Sequence, residues 1–263
     1  MIIGSVSNQN FKFLNKLKMK KYRDKENSFI IESKKLVDEA IASSAKVDFI
    51  FLKEGVSYET SHKTLIFCES LFTKISSMTS PDGIGAVIKK KDPVEISSSK
   101  ILLLDGTNDP GNLGTMIRSA EAFGFKDVIL MPGTADVYNE KTLRASMGSI
   151  FRLNILNKTY DDIKKLKSCY RILSADMDGL DIRNYKKDSK IIIAIGNEAN
   201  GLSQEMREIT DEFIKIPMEG EIESLNAAIA ASIIMNRLMW WFGKTLIILI
   251  QQERDVESLL SHD

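Results

Sequence analysis

Five stretches of this chain are apolar almost without interruption: ILLLD (101–105), DVILM (127–131), RILSA (171–175), IIIAIG (191–196) and FIKIP (213–217). A strand with one wet face alternates apolar and polar residues, so runs without alternation belong to strands covered on both faces, as in parallel sheets flanked by helices. FRLNIL (151–156) fits a sixth strand, and helical patterns fall between the strands at about 112–123, 139–147, 160–167, 203–209 and Ser224 to Phe242. Strand and helix in strict alternation predict an α/β fold with a parallel sheet from residue 96 onward.

The first third repeats the logic on a smaller scale. FIIES (29–33), VDFIFL (47–52), TLIFC (64–68) and GIGAVIK (83–89) read as short strands, with helices at 34–44 and 69–76 between them. KKKDPVEISSSK (89–100), charged and then Pro- and Ser-bearing, has the composition of a linker. The expected organisation is a small α/β domain over 1–95, a larger one over 96–244 and a tail of unassigned role over 245–263.

Charge separates the two parts. The whole chain is neutral, with 36 Lys/Arg and 36 Asp/Glu, but residues 1–95 hold 16 basic side chains against 12 acidic and the remainder 20 against 24. The excess concentrates in Lys12, Lys16, Lys18, Lys20, Lys21, Arg23 and Lys25, faced only by Asp24 and Glu26. Phe11, Leu14, Leu17 and Tyr22 recur at helical spacing, which puts the lysines on the outer face of an amphipathic helix. Such a face is either simply solvated or a surface for a polyanion.

Other classes are excluded. Two cysteines, Cys68 and Cys169, make no disulfide scaffold, and two histidines, His62 and His262, cannot supply a multi-histidine metal site, so no metal is expected. The N-terminus lacks a signal-peptide pattern and no run reaches the ~18 apolar residues of a membrane span; the expected location is the cytoplasm. G-x-G-x-x-G is absent, and Gly243-Lys244-Thr245 follows a helix where a phosphate loop would open one.

Ligands of parallel sheets bind beyond the carboxyl ends of the strands, and three loops there carry polar residues. In DGTNDPGNLGTMIRSAEAFGF, Asn112 is able to cap the following helix, whereas Arg118 on the small-residue side of that helix has no structural duty and suits an anionic ligand. In IIIAIGNEANGLS, Ser203 fits a cap and Glu198 lies just past the strand end. In FIKIPMEGEIESLNAAIAASIIM, Ser224 fits the cap of the last helix, while Asn226 is a poor helix former in its first turn.

At these loops the sequence resembles the SpoU (TrmH) family of RNA 2′-O-ribose methyltransferases, in the SPOUT superfamily. The resemblance lies in DGTNDPGNLGTMIRSAEAFG, IAIGNEANGLS and IPMEGEIESLNAAIAASI, in this order. Asn10, KLKMKKYR and FIIES look like the L30e-like RNA-binding domain that often precedes the catalytic domain, although Ser33 stands where the family often has Gly. Residues 5–242 are covered; TLIILIQQERDVESLLSHD (245–263) is not. The resemblance implies a deep trefoil knot, a homodimer with the site near its interface, and S-adenosylmethionine held near Ile195, Gly196, Ile216, Met218 and Leu225.

It further implies that Asn112, Arg118, Glu198, Ser224 and Asn226 carry the site. Arg118 would polarise a ribose hydroxyl and an adjacent phosphate, or act as base; an arginine side chain keeps its charge, which favours the electrostatic role. Asn112 would bond ribose or Arg118, Glu198 would orient Arg118 or brace the dimer, and Ser224 and Asn226 would shape the methionine end of the cofactor site. Arg144 in KTLRASMGS is either a surface helix residue or a phosphate ligand, and Lys16, Lys18, Lys20, Lys21 and Arg23 are the expected RNA contacts. The expected activity is methylation of structured RNA, ribosomal ahead of transfer RNA, with an inactive RNA-binding protein as the alternative.

Overall fold

The structure, a computed structural model, describes residues 2–186, 188–222 and 224–239. The tail at 245–263 and the end of the helix expected to reach Phe242 lie outside the described residues.

The first module comprises β1 (Ile2–Ile3), α1 (Gln9–Leu17), α2 (Lys20–Lys25), β2 (Ser28–Glu32), α3 (Lys34–Ala42), β3 (Val47–Lys53), β4 (Thr64–Phe67), α4 (Glu69–Ile75) and β5 (Ile84–Lys89). Its sheet runs β1-β4-β3-β5-β2, parallel between β1, β4 and β3 and antiparallel between β3, β5 and β2. One face packs Phe49, Phe51, Phe67 and Val87 against Phe11, Leu14 and Leu17 of α1 and Leu71, Phe72 and Ile75 of α4.

The second module continues with β6 (Lys100–Leu104), α5 (Pro110–Ala122), β7 (Asp127–Leu130), α6 (Glu140–Ser146), α7 (Ser149–Arg152), β8 (Asn154–Asn157), α8 (Tyr160–Leu166), β9 (Arg171–Asp181), β10 (Ile191–Ile195), α9 (Gln204–Ile209), β11 (Glu212–Lys215) and α10 (Ala227–Met239). Every strand pair in its sheet, β11-β9-β10-β6-β7-β8, is parallel. The uninterrupted apolar runs have the expected cause. Ile101, Leu103, Ile129, Ile172 and Ile192 point to one face, under Ile163 of α8 and Met206 and Ile209 of α9. Leu102, Leu104, Val128, Leu173 and Ile193 point to the other, under α5, α6 and α10.

That second face is continuous with the first module, because Phe29, Ile31, Leu36, Val37 and Ile88 belong to the same apolar cluster. Polar ties close the seam. Arg152 donates to Glu39 Oε2 at 2.7 Å and Ser43 Oγ at 3.0 Å and also holds Glu121. The stretch expected to be a linker is fastened down: Val94 and Asn154 exchange two hydrogen bonds of 3.0 Å, and Ser97 and Ser98 donate to the buried Asp127.

Three differences from the sequence expectation concern local structure. The basic segment is two helices, broken at Met19, whose extended backbone (φ −97, ψ 131) cannot continue α1. Phe151 and Arg152, expected to begin a strand, close the helical turn α7. The two-residue β1 is too short for any periodicity to announce it.

Ser33 has φ 93 and ψ 143, a region that glycine occupies freely, while its hydroxyl caps α3 by accepting from Leu36 N at 3.4 Å. Strain of this kind costs roughly 1–3 kcal/mol, and replacing a serine cap by glycine loses only a few tenths. Ser33→Gly is therefore expected to stabilise the chain by about 1 kcal/mol in a denaturant titration; a destabilisation would show that the cap outweighs the strain.

Candidate active site

The loop after β6 is anchored at its first residue. Asp105 is 3% exposed, yet its carboxylate accepts from Tyr160 Oη at 2.8 Å and Ser203 N at 2.7 Å, drawing the starts of α8 and α9 to the end of β6. Gly106 turns the chain at φ +76. Asp109 then caps α5 by accepting from Asn112 N at 2.8 Å and pairs with Lys141 of α6 at 2.7 Å. The Lys141 hydrogen bond, with that of the Asn112 backbone, holds the Asp109 carboxyl below the ordinary range.

The loop after β10 folds back on itself, Asn197 and Gly201 exchanging backbone hydrogen bonds of 2.8 and 2.9 Å. Asn197 Nδ2 donates to Gly106 O at 2.7 Å, tying this loop to the first. Gly196 is fixed by packing: a Cβ there would lie 2.4–2.6 Å from backbone atoms of Gly201 and Leu202.

Asn112 joins all three loops. Its Nδ2 donates to Glu198 Oε1 at 3.0 Å, and its Oδ1 accepts from Asn226 Nδ2 at 3.1 Å. Glu198 Oε2 accepts from Asn108 N at 3.2 Å. Asn226 Oδ1 meanwhile accepts from Ala228 N and Ile229 N at 2.9 and 3.2 Å, which makes Asn226 the cap of α10. The cap is thus two residues later than the expected Ser224, which lies exposed upstream of the helix. An asparagine that seemed misplaced in a first helical turn is the residue that starts the helix.

Burial pushes the Glu198 carboxyl up, but hydrogen bonds from Asn112 and from the backbone, Asn108 among them, outweigh it and hold the group below its ordinary 4.5. A depressed carboxyl stabilises the folded state above its unfolded pKa, and the contribution is lost as pH falls through the folded value. Glu198→Ala is therefore expected to melt below the parent chain at pH 7, with the gap closing as pH drops below about 4. A gap independent of pH would mean that the ionised carboxylate is not what ties the loops.

Arg118 stands apart from this junction. It is exposed, and among the described residues it has no ion-pair or hydrogen-bond partner. Six residues at about 100° each set it roughly 120° around α5 from Asn112 and about 9 Å along the axis. The expected contacts of Asn112 or Glu198 with Arg118 are therefore absent within this chain; Glu198 orients Asn112 instead. The neighbouring Ser119 bonds Ser232 of α10 at 2.8 Å, so α5 presents Arg118 beside the α5–α10 contact.

The residues expected to hold a cofactor lie at or beyond the carboxyl ends of β10 and β11. Ile195 is buried at the end of β10, Ile216 and Leu225 are half-buried and Met218 is exposed. Backbone groups of Gly196 and of residues 216–222 are not taken up in hydrogen bonds among the described residues. Apolar side chains beside open backbone donors and acceptors fit a nucleoside-bearing ligand such as S-adenosylmethionine.

On the first module Lys16, Lys18, Lys20 and Lys21 are exposed as expected. Arg23 is not: it is 6% exposed, and its guanidinium donates to Leu17 O, Lys18 O and Asp136 Oδ2, the last at 2.5 Å. It ties α2 to the loop after β7 and is withdrawn from the basic surface. Arg144 of α6 is half-buried and donates to Ser77 Oγ at 3.3 Å across the seam. The reading of the sequence missed Asp105 and Asn197. The signal for both was a polar residue adjoining glycine at the end of an apolar run.

Two family models match the chain: the SpoU rRNA Methylase family over 99–236 and the MRM3-like substrate binding domain over 8–86. The 23S rRNA (guanosine(2553)-2′-O)-methyltransferase RlmP of Bacillus subtilis is 35% identical over 243 residues, covering 90% of this chain and 98% of the relative. An AdoMet-bound rRNA methyltransferase from Sinorhizobium meliloti superposes with a TM-score of 0.80 at 27% identity, over 90% of this chain and 97% of that one. The methyltransferase AviRb from Streptomyces viridochromogenes shares the fold, with a TM-score of 0.79 at 24% identity over 88% and 97% of the chains.

Proposed function

This chain belongs to the SpoU rRNA methylase family, and from that premise we propose that it transfers the methyl group of S-adenosylmethionine to a ribose 2′-hydroxyl of ribosomal RNA. The observation that carries the reading is the junction Glu198–Asn112–Asn226, which locks three strand-end loops together at the start of a helix, α5, that also carries Arg118, an arginine without a partner among the described residues. B. subtilis RlmP, named for 2′-O-methylation of 23S rRNA, supports the substrate class, and the AdoMet-bound S. meliloti neighbour supports the cofactor.

When bound, S-adenosylmethionine supplies an electrophilic sulfonium methyl group. The chain has to hold a ribose hydroxyl in line with it and stabilise the charge that grows on oxygen as the proton leaves. Arg118, exposed and without a partner among the described residues, is assigned the second task. Asn112 and Asn226 fix the loops, and Glu198 keeps the Asn112 amide in one orientation. Ile195, Gly196, Ile216, Met218 and Leu225 are the assigned cofactor wall, with Ser224 at its edge.

The same reading assigns 1–95 to substrate binding and 96–244 to catalysis, knots the chain through the loops around β10 and β11, and pairs two copies. Ile229 and Ile233, one turn apart on α10 and 54% and 40% exposed, support a covered face there. No helix among the described residues is long and apolar enough to cross a membrane; the assigned compartment is the cytoplasm.

Neutralising Lys16, Lys18, Lys20 and Lys21 together is expected to flatten the salt dependence of RNA binding by roughly 3 in the log–log slope, at about 0.7 per phosphate contact, with cofactor affinity retained. An unchanged slope would assign those lysines to solvation alone. The reading itself is tested by incubating the chain with labelled S-adenosylmethionine and total RNA from a strain lacking the gene. Label in ribosomal RNA is expected; label in transfer RNA alone, or in none, would overturn it.

A further inference from the structure

Between the two modules, away from the Asn112 junction, lies a cleft of about 230 Å³ lined by Leu17 of α1 and Lys18 just after it, Ile30 of β2, and Tyr138, Leu143 and Arg144 around α6. We propose that this cleft receives a single nucleobase turned out of the RNA strand, whose phosphates are held by Arg144 and Lys18. The proposal rests on the RNA methyltransferase reading and names how the substrate is gripped.

Size, charge and position carry it. Pockets for drug-sized ligands run from about 300 Å³ upward, so the volume suits something smaller, and aliphatic side chains make up about half of its lining. Single-stranded RNA is recognised by taking unstacked bases into such pockets and bonding their edges. Some polar groups around the cleft are already committed. The Glu32 carboxylate accepts from Ser76 Oγ, Ser77 N and Ser77 Oγ, and Asp136 is taken by Arg23.

Four groups are left open. Arg144 has Ser77 Oγ as its one partner and no carboxylate among the described residues, and a half-buried guanidinium without a counter-ion calls for an anion. Lys18, exposed at the mouth, donates to Lys74 O and keeps its charge unneutralised. The Tyr138 hydroxyl makes no hydrogen bond among the described residues, while its ring is held by Phe29, with centroids 4.6 Å apart, and by Lys90 above it. Burial, with Asp136 and Asp24 nearby, pushes that phenol up to about 12, so it stays a donor for a base edge. Glu140 on the rim has an unpaired carboxylate among the described residues, an acceptor for a base N–H.

Helix α6 connects the cleft to the site. Glu140, Leu143 and Arg144 line the cleft, and Lys141 of the same helix grips Asp109 at 2.7 Å. Against α5 the helix is seated closely, since a Cβ on Gly114 would lie 2.5 Å from Thr142 O. A helix is about 10 Å across with its side chains, so the cleft lies about one helix diameter from the Asp109 cap at the start of α5.

The test uses the full chain and an RNA fragment around the methylated ribose, with 2-aminopurine placed at one flanking position at a time. Binding to the unaltered chain is expected to raise fluorescence several-fold at one position, and Ile30→Trp, which fills the cleft from its half-buried rim, is expected to abolish the rise. Arg144→Ala is expected to raise KM for RNA about tenfold and leave kcat and KM for S-adenosylmethionine unchanged; it keeps the test decisive if the tryptophan variant fails to fold. Methylation with no fluorescent position and an unchanged KM for Arg144→Ala would overturn the cleft and leave the reaction standing. Fluorescence without methylation would leave the cleft standing and bring down the reaction.

Discussion

Arg118→Ala is expected to lower kcat for methyl transfer by about 10²–10³, the usual loss when a group that stabilises developing oxyanion charge is removed. The reason is its isolation. Arg23, Arg152, Arg171, Arg183 and Arg207 each pair with a carboxylate, whereas Glu121, three residues beyond Arg118, is taken by Arg152, and Glu198, expected to orient Arg118, is engaged with Asn112 and Asn108. A charge left unpaired on an exposed helix face costs little in the free chain and is available to substrate. Affinity for S-adenosylmethionine and the melting temperature are expected to be unchanged, which separates this loss from a folding defect. Arg118→Lys keeps the charge and loses the planar fork, so its rate should fall between the two; methylation at the parent rate would show that Arg118 does not act on the hydroxyl.

Gly196→Ala is expected to be among the most damaging single-methyl changes in the second module. The added carbon would meet the carbonyl carbon and oxygen of Gly201 and the nitrogen of Leu202 at 2.4–2.6 Å, and all three are backbone atoms that cannot rotate away. Overpacking costs typically 1–3 kcal/mol, and here relief requires moving the loop that carries Glu198 and Asn197. A fall of several degrees in melting temperature and loss of cofactor binding should appear together. Gly201→Ala is the control. It has open space around the new carbon and only a positive φ of 68 to pay for, so it should cost about 1 kcal/mol. Equal effects of the two changes would mean that the close approach at Gly196 is not what shapes the loop.

The parallel sheet was legible because its evidence is local: ILLLD and IIIAIG each bury alternate residues on opposite faces, and no polar position interrupts them. The three loops were legible because strand ends and polar residues coincide in the sequence. Partners across the fold were not. Arg23 sits in a run of lysines and differs from them only through Asp136, 113 positions away, which draws it into the seam between modules. Asn226 looked like a weak helix former because its duties, capping α10 and donating to Asn112, appear only once three loops meet. Ser224 had the better cap chemistry and lost the position to geometry. The glycine preference at Ser33 is explained by a positive φ that no periodicity reveals.

The most direct test of the central claim is the chemical position of the transferred methyl. A 2′-O-methyl group removes the hydroxyl that alkali uses to cleave the neighbouring phosphodiester. After reaction with labelled S-adenosylmethionine and complete alkaline hydrolysis of the ribosomal RNA, the label is expected in an alkali-resistant dinucleotide. Its appearance in ordinary mononucleotides, as a methylated base, would contradict the assignment of this site to the ribose hydroxyl.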